Sequence, residues 1–333
     1  MPAPDVSVVI PLYNSAEWIT STLHSLQQQT LDPARCEIIL VDSASIDHGA
    51  QLAEAILSKG HSPFHIIRLD HNPGPSQARN IGWKAARASW IQFLDSDDLL
   101  LPGKLEHQLR AADSASSDVA VIYSEWQNYV LDGEWKPAPP LKDPILETDL
   151  IRGLLQTEHF LATGSQLIRK SWLTRLNGFD EACWVIEDVH LMLRLAMHHG
   201  TFLRAPAGHA LFYYRRRGTS SLSGSRRAEF LNGCVRNFRL AEDYWRATGQ
   251  LTRDRLDFVV SAYEPLLHNL VEADPNTFDL LLRHLLSIQP GWKPAYDTRI
   301  RLLSSVIGYR RAARLAVDYR LWKIKLSRFG SCF

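Results

Sequence analysis

Four short, almost wholly apolar segments alternate with helical stretches in the first 94 residues, and this alternation limits the fold more than any other feature of the chain. Residues 6–10 (Val-Ser-Val-Val-Ile, closed by Pro11), 37–41 (ending at Asp42), 64–69 and 90–94 read as strands. Residues 18–28 place Ile19, Leu23 and Leu26 at helical spacing, and 51–57 and 75–88 read as further helices, with Pro75 suited to a first turn. A helix over 103–112 then leads to a fifth strand at 119–123. Strands that are apolar nearly throughout and alternate with helices describe a parallel sheet covered on both faces. The expected class is therefore α/β, a mostly parallel sheet flanked by helices, and the chain beyond Gly224 reads as a helical C-terminal extension.

In such sheets ligands bind beyond the carboxyl ends of the strands. That rule collects residues 11–14, 42–47 and 95–98 at one rim. The last of these carries Asp95, Asp97 and Asp98, three carboxylates within four positions, delivered by the apolar strand Trp90-Ile91-Gln92-Phe93-Leu94. Carboxylates this close repel one another and resist desolvation, so they call for a compensating positive charge. A hard divalent cation bridging to a phosphate supplies it. An Asp after a strand also serves as a helix cap, but a cap takes one carboxylate rather than three.

Several classes drop out. Strand one is followed by Pro11-Leu12-Tyr13-Asn14-Ser15 rather than a glycine-rich fingerprint, and no GxxxxGK[ST] occurs, which excludes dinucleotide-binding and P-loop domains. A formal charge of +1, from 37 basic and 36 acidic residues, argues against a nucleic-acid partner. Cys36, Cys183, Cys234 and Cys332 show no metal-ligand or redox spacing and are expected to be reduced in a cytoplasmic protein. His190, His198 and His199 lack a zinc-type pattern and read as surface or core-margin residues. The start of the chain lacks the pattern of a secretory signal, and no run of 18 apolar residues is present.

Other constellations carry two readings each. Asp42 suits a ribose or base edge, or a turn. Arg79, just above the start of the 75–88 helix, either forks onto a phosphate or forms a salt bridge with Asp95 or Asp42. Gly82 in the same helix suits close approach to the sheet. Glu187-Asp188 opens an amphipathic helix over 187–198 and is either its cap or a base held ionised by the helix dipole. Tyr213-Tyr214-Arg215-Arg216-Arg217-Gly218-Thr219-Ser220 either folds over a diphosphate or forms a solvated basic edge. Residues 132–144, with Gly133 and four prolines, read as an excursion over the active face, and 164–168 as a strand. In the basic C-terminal stretch, Ala312, Leu315, Tyr319, Trp322 and Leu326 recur every three or four residues among Arg310, Arg311, Arg314, Arg320, Lys323, Lys325 and Arg328. This is either an interfacial helix for anionic lipid or a packed helix with a solvated basic face. Transfer of a sugar from a nucleotide diphosphate needs a metal-held carboxylate site for the leaving group and a separate base, and the two acidic clusters divide those jobs.

Together these residues resemble glycosyltransferase family 2, with the GT-A fold. The resemblance runs through Val9-Ile10-Pro11-Leu12-Tyr13-Asn14, Leu40-Val41-Asp42, Asn72-Pro73-Gly74 with Ala78-Arg79-Asn80-Ile81-Gly82, and Leu94-Asp95-Ser96-Asp97-Asp98. It continues through Gly178-Phe179-Asp180-Glu181, Glu187-Asp188 with Leu193-Arg194-Leu195, and Tyr213-Tyr214-Arg215, covering roughly residues 5–222. It implies a catalytic domain over 1–222, with the nucleotide-sugar side at about 1–123 and the acceptor side at about 124–222, followed by a mainly helical region over 223–333. By the same resemblance Pro11, Tyr13, Asp42 and Arg79 line the nucleotide pocket. Asp97 holds Mn²⁺ or Mg²⁺ on the diphosphate, Asp95 lies nearer the ribose, and Arg215 or Arg217 faces the diphosphate. Asp188 is the general base of an inverting single displacement, with Glu187 orienting it.

The implied activity is metal-dependent, non-processive transfer of one sugar from a nucleotide diphosphate sugar to a glycan or lipid-linked acceptor, at the cytoplasmic face of a membrane if the tail binds lipid. A nucleotidyltransferase and a non-catalytic glycan-binding or scaffold protein are the alternatives. Three departures stand out: Asp42-Ser43-Ala44-Ser45 replaces the family's Asp-Asp-Gly-Ser, Arg217 replaces a frequent histidine, and no Gln-x-x-Arg-Trp segment marks a processive synthase.

Overall fold

The computed structural model describes residues 3–146, 149–156, 159–217, 222–295 and 297–329. The chain divides into two compact units, Met1–Ser221 and Leu222–Phe333.

In the first unit β1 (Val6–Leu12), β2 (Cys36–Asp42), β3 (Phe64–Arg68) and β4 (Trp90–Phe93) alternate with α1 (Ile19–Gln27), α2 (Gly49–Leu57) and α3 (Pro75–Ala85). There follow β5 (Leu99–Leu100), α4 (Lys104–Asp113), β6 (Val119–Tyr123), β7 (Trp126–Asp132), β8 (Glu134–Lys142) and α5 (Leu150–Leu155). The unit closes with β9 (Gln166–Arg169), α6 (Lys170–Leu176), α7 (Glu187–Met197), β10 (Thr201–Arg204) and β11 (Phe212–Arg215). Seven of the strands form one sheet in the order β10-β6-β9-β4-β1-β2-β3. β1 pairs in parallel with both β2 and β4, and β2 with β3. Val8, Ile10, Leu40 and Ile91 are fully buried, the continuous apolar burial that helices on both faces produce. α3 lies so close to the sheet that a Cβ on Gly82 would stand 2.3 Å from Val9 Cγ1, so only glycine fits.

Two regions differ from the simplest reading of the sequence. β9 runs antiparallel between β4 and β6, entering from the turn Thr163–Ser165, so the sheet is mixed. Residues 132–144 are largely regular: β7 and β8 form a hairpin turning at Gly133 (φ 73°), within a second sheet of order β5-β11-β7-β8. β8 tolerates Pro137, Pro139 and Pro140 because it is an edge strand, where a missing N–H breaks no interior ladder.

At the head of β2 the buried Glu37 carboxylate accepts hydrogen bonds from the Ser7 hydroxyl (2.6 Å), the Arg87 N–H (2.6 Å) and the Arg87 guanidinium (2.7 Å). Burial pushes this carboxyl up, but the hydrogen bonds outweigh it and leave the pKa below the usual glutamate value. Its stabilising contribution is therefore fully present above the unfolded-state pKa of about 4.3 and is lost as pH falls through the lower folded-state value. Glu37→Gln is expected to cost about 1–3 kcal/mol at neutral pH, because the amide carries no charge and sets a donor NH2 against the Arg87 guanidinium in place of one carboxylate oxygen. It should also flatten the acid limb of stability. Urea melts of both proteins across the acid range check this, and an unchanged limb would contradict it.

The second unit is helical: α8 (Leu222–Ser225), α9 (Arg227–Ala247), α10 (Arg253–Ala273), α11 (Pro275–Ile288), α12 (Thr298–Ile307) and α13 (Tyr309–Phe329). Buried Glu242 of α9 accepts from Tyr263 of α10, His284 of α11 and Arg246 of its own helix, each at 2.8 Å, and so ties three helices together. The apolar residues of α13 split between two surroundings. Tyr309, Ala312 and Ala313 are buried, with Tyr309 against Phe278 and Trp292. Leu315, Tyr319 (63% exposed) and Trp322 (56% exposed) face solvent. Arg310 pairs with Asp279, and Arg320 with Glu272 at 2.9 Å. The side chains of Lys323, Lys325, Leu326 and Arg328 lie outside those described.

Candidate active site

Three strand ends form the rim. β1 lies between β2 and β4, with Leu12 opposite Asp42 and Val9 opposite Phe93. The loops beyond are laced together by short polar side chains. Ser15 and Ser96 hydroxyls lie 2.7 Å apart, and Thr22 Oγ1 donates to the Ser96 carbonyl (3.0 Å). Asn14 N–H donates to Ser45 Oγ (3.1 Å), while Asn14 Oδ1 accepts from Ile46 N–H (2.9 Å). Pro11, Tyr13 and Asp42 thus stand on adjacent strand ends, Tyr13 half exposed and Asp42 buried. Asp42 Oδ1 accepts from Ser45 N–H (3.1 Å), so it also serves as the turn residue the sequence allowed.

Asp95, Asp97 and Asp98 bring carboxylate oxygens within 4.8 Å of one another. Each faces a different arginine. Arg79 Nη2 lies 2.6 Å from Asp95 Oδ1, Arg217 Nε lies 2.6 Å from Asp97 Oδ2, and the Arg215 backbone N–H donates to Asp98 Oδ1 at 2.7 Å. These contacts do not neutralise the cluster. Burial, reinforced by the Asp95 charge, raises the Asp97 carboxyl despite Arg217, and burial with Asp97 and Asp95 drives Asp98 well above the usual range. Converging hard oxygens still short of positive charge fit a divalent cation such as Mg²⁺ or Mn²⁺.

Arg79 links this cluster to the second acidic pair. Its side chain is 4% exposed, and Nη1 lies 2.5 Å from Glu187 Oε1 while Nη2 holds Asp95. Burial alone would lower its pKa, but the charges of Asp95 and Glu187 more than reverse that and keep it ionised. The carboxylate pairing left open for Arg79 by the sequence is thus the arrangement present. Glu187 and Asp188 open α7, immediately after Ile186 in the left-handed region (φ 53°). Burial pushes the Glu187 carboxyl up to about 7 against the pull of Arg79. Burial also raises Asp188, opposed by hydrogen bonds from Val189 N–H (2.8 Å) and Thr163 Oγ1 (3.2 Å).

Two features were not read from the sequence. Thr163, in the turn before β9, holds Asp188 across 25 positions, and its neighbour Gly164 must be glycine because a Cβ there would meet the Phe212 ring at 2.1 Å. The Arg215 guanidinium sits among aromatic rings, 4.8 Å from Trp18, 5.2 Å from Trp135 and 5.9 Å from Tyr129. Such a cage holds a cation in place with little water around it. Nη2 donates to Ser21 Oγ (3.1 Å), while the buried Nε and Nη1 have no hydrogen-bond partner among the described residues. Gly218, Thr219 and Ser220 lie outside the described residues.

Residues 7–176 match the profile "Glycosyl transferase family 2". The succinoglycan biosynthesis protein ExoO of Rhizobium meliloti is 31% identical over 229 residues, which is 66% of this chain and 63% of that protein. The poly(ribitol-phosphate) beta-N-acetylglucosaminyltransferase TarS of Staphylococcus aureus is 31% identical over 146 residues, 44% of this chain and 24% of that protein. The chain therefore matches less than two thirds of the length of these curated relatives. Among solved structures, S. aureus TarS 1–349 in complex with UDP-GlcNAc superposes with a TM-score of 0.56 at 20% identity, covering 95% of this chain and 92% of that one. The mannosyltransferase PcManGT of Pyrobaculum calidifontis, in complex with GDP-Man and Mn²⁺, gives 0.55 at 18% identity, over 95% of this chain and 87% of that one.

Proposed function

The chain belongs to glycosyl transferase family 2 and carries the GT-A fold, and on that premise we propose that it moves a single sugar from a nucleotide diphosphate sugar to a hydroxyl of a glycan or lipid-linked glycan, with inversion. The observation that carries this reading is the two-part acidic site: Asp95, Asp97 and Asp98 on one side, Glu187 and Asp188 on the other, joined through buried Arg79. One divalent cation held by Asp97 and Asp95 would supply charge for the leaving diphosphate. The chain's own groups do the rest. Pro11, Tyr13 and Asp42 take the nucleoside at the ends of β1 and β2. Arg215 and Arg217 face the diphosphate, Arg215 held for this by its aromatic cage. Asp188 accepts the proton of the acceptor hydroxyl as its oxygen bonds to the anomeric carbon and the bond to the diphosphate breaks, while Glu187 and Thr163 orient the base. Absence of a Gln-x-x-Arg-Trp segment supports a single transfer over processive synthesis.

Thermal melts with nucleoside diphosphates test the donor half of this reading. One base should stabilise the protein with Mn²⁺ or Mg²⁺ and lose that effect on chelation. No shift with any nucleoside diphosphate and metal would favour a non-catalytic glycan-binding or scaffold role.

The second unit supports a peripheral partner. Among the described residues no helix is long and apolar enough to cross a membrane. Exposed Leu315, Tyr319 and Trp322 on a helix bearing Arg310, Arg311, Arg314 and Arg320 suit an anionic lipid surface. The expected cytoplasmic location belongs to the same proposal. The protein should sediment with anionic vesicles and be released in part, not fully, by high salt, because screening weakens the charged contacts but not apolar burial. Equal sedimentation with neutral vesicles, or none, would contradict it.

A further inference from the structure

A second group of metal-type side chains lies beside the acidic pair, on residues that the sugar-transfer reading leaves unused. Asp180, Cys183 and His190 each bring one ligand atom to within 4.8 Å of the others. His190 Nε2 lies 3.7 Å from Asp180 Oδ2, and Cys183 Sγ lies 3.7 Å from the same oxygen. Ligands bound tetrahedrally to zinc, at its usual bond lengths, stand roughly 3.3–3.6 Å apart, so the two separations from Asp180 Oδ2 lie within a few tenths of an ångström of that range. The carboxylate is accessible (39% exposed), while the thiol and imidazole are buried, giving an entry side and an enclosed side.

The spacing Asp-x-x-Cys followed by a histidine seven residues later has no sequence pattern to announce it. The fold assembles it. Asp180 turns the chain, with Cys183 N–H donating to its carbonyl (2.9 Å) and Ala182 N–H to its Oδ1 (3.0 Å), while His190 occupies the first turn and a half of α7. Ser76 ties the Cys183 carbonyl to α3. Arg194, on α7 one turn beyond His190, donates to the carbonyls of Gly178 (2.8 Å) and Leu176 (2.5 Å). Its charge lies near Asp180 and Cys183 and favours the anionic forms of both that a metal ion binds.

We propose that Asp180, Cys183 and His190 form a second metal site, selective for a borderline-soft divalent cation of the zinc type and distinct from the all-oxygen cluster at Asp95, Asp97 and Asp98. On binding, the thiol gives its proton to solvent, and neutral His190 and the Asp180 carboxylate complete three ligands, with water in the fourth position. The ligands bracket residues 180–190, so the ion stiffens the segment that presents Glu187 and Asp188.

Cobalt titration of the full chain, reduced with a non-chelating phosphine, tests this, because a thiolate ligand gives a near-ultraviolet charge-transfer band that an all-oxygen site does not. One equivalent of Co²⁺ should produce the band, Zn²⁺ should displace it, and excess Mg²⁺ should not. Cys183→Ser should abolish it. Asp180→Asn, which keeps an acceptor oxygen for the Ala182 N–H that holds the turn, should weaken Zn²⁺ binding by at least about tenfold. Absence of the band in folded protein, its persistence in Cys183→Ser, or unaltered Zn²⁺ affinity in Asp180→Asn would overturn the site.

Discussion

Asp97→Ala is expected to abolish sugar transfer and metal-dependent nucleotide binding together, with the rate falling by at least about 10³-fold, the upper range for removing a charge-stabilising group from a reaction site. Asp97 brings a carboxylate oxygen within 4.8 Å of those of Asp95 and Asp98 and lies 2.6 Å from Arg217. Alanine removes one hard ligand and leaves Arg217 beside the position a cation would take, so both the charge and its placement change. The protein should remain folded, because burial already disfavours the ionised form of Asp97 and its partner Arg217 is partly exposed to water. Turnover with Mn²⁺ and calorimetry of nucleoside diphosphate binding measure the two losses. Near-normal turnover with undiminished metal dependence would show that another group holds the diphosphate.

Asp188→Asn should leave donor and metal binding intact while lowering turnover by about 10²–10⁴-fold, the range for a lost general base. Asparagine preserves the shape held by Thr163 and Val189 but cannot accept the acceptor's proton. The pH profile adds a signed expectation. Burial raises both Glu187 and Asp188, Glu187 to about 7, and the base works only when ionised. Activity should therefore fall as pH drops through a range above that of ordinary carboxylates, as a property of the coupled pair. Poor donor binding by Asp188→Asn would move the base role elsewhere, as would near-normal transfer.

What could be read from the sequence divides along a physical line. Strands β1, β2 and β4 were legible because each is buried on both faces and so needs an almost unbroken apolar run, whereas β3, an exposed edge strand, was legible only from its place in the alternation. The carboxylate run at 95–98 was legible because its members are neighbours in sequence. The β7–β8 hairpin was obscured because three prolines on an edge strand resemble loop composition. The antiparallel course of β9 follows from its partners β4 and β6, which no local pattern encodes. Long-range side-chain meetings were least accessible. Arg79 reaches Glu187 across 108 positions and Arg215 reaches Asp98 across 117, and neither choice of partner is written in spacing. The same holds for Trp18 and Trp135 around Arg215, and for Asp180, Cys183 and His190, whose histidine and cysteine looked unremarkable one at a time.

The most direct measurement is the phosphorus-containing product. With the matching nucleotide diphosphate sugar, a hydroxyl acceptor and Mn²⁺, release of nucleoside diphosphate in step with glycosylated acceptor is the predicted result, dependent on metal and lost in Asp97→Ala. Pyrophosphate released from a nucleoside triphosphate and a sugar phosphate, with no nucleoside diphosphate from any nucleotide sugar, would contradict it and make the protein a nucleotidyltransferase.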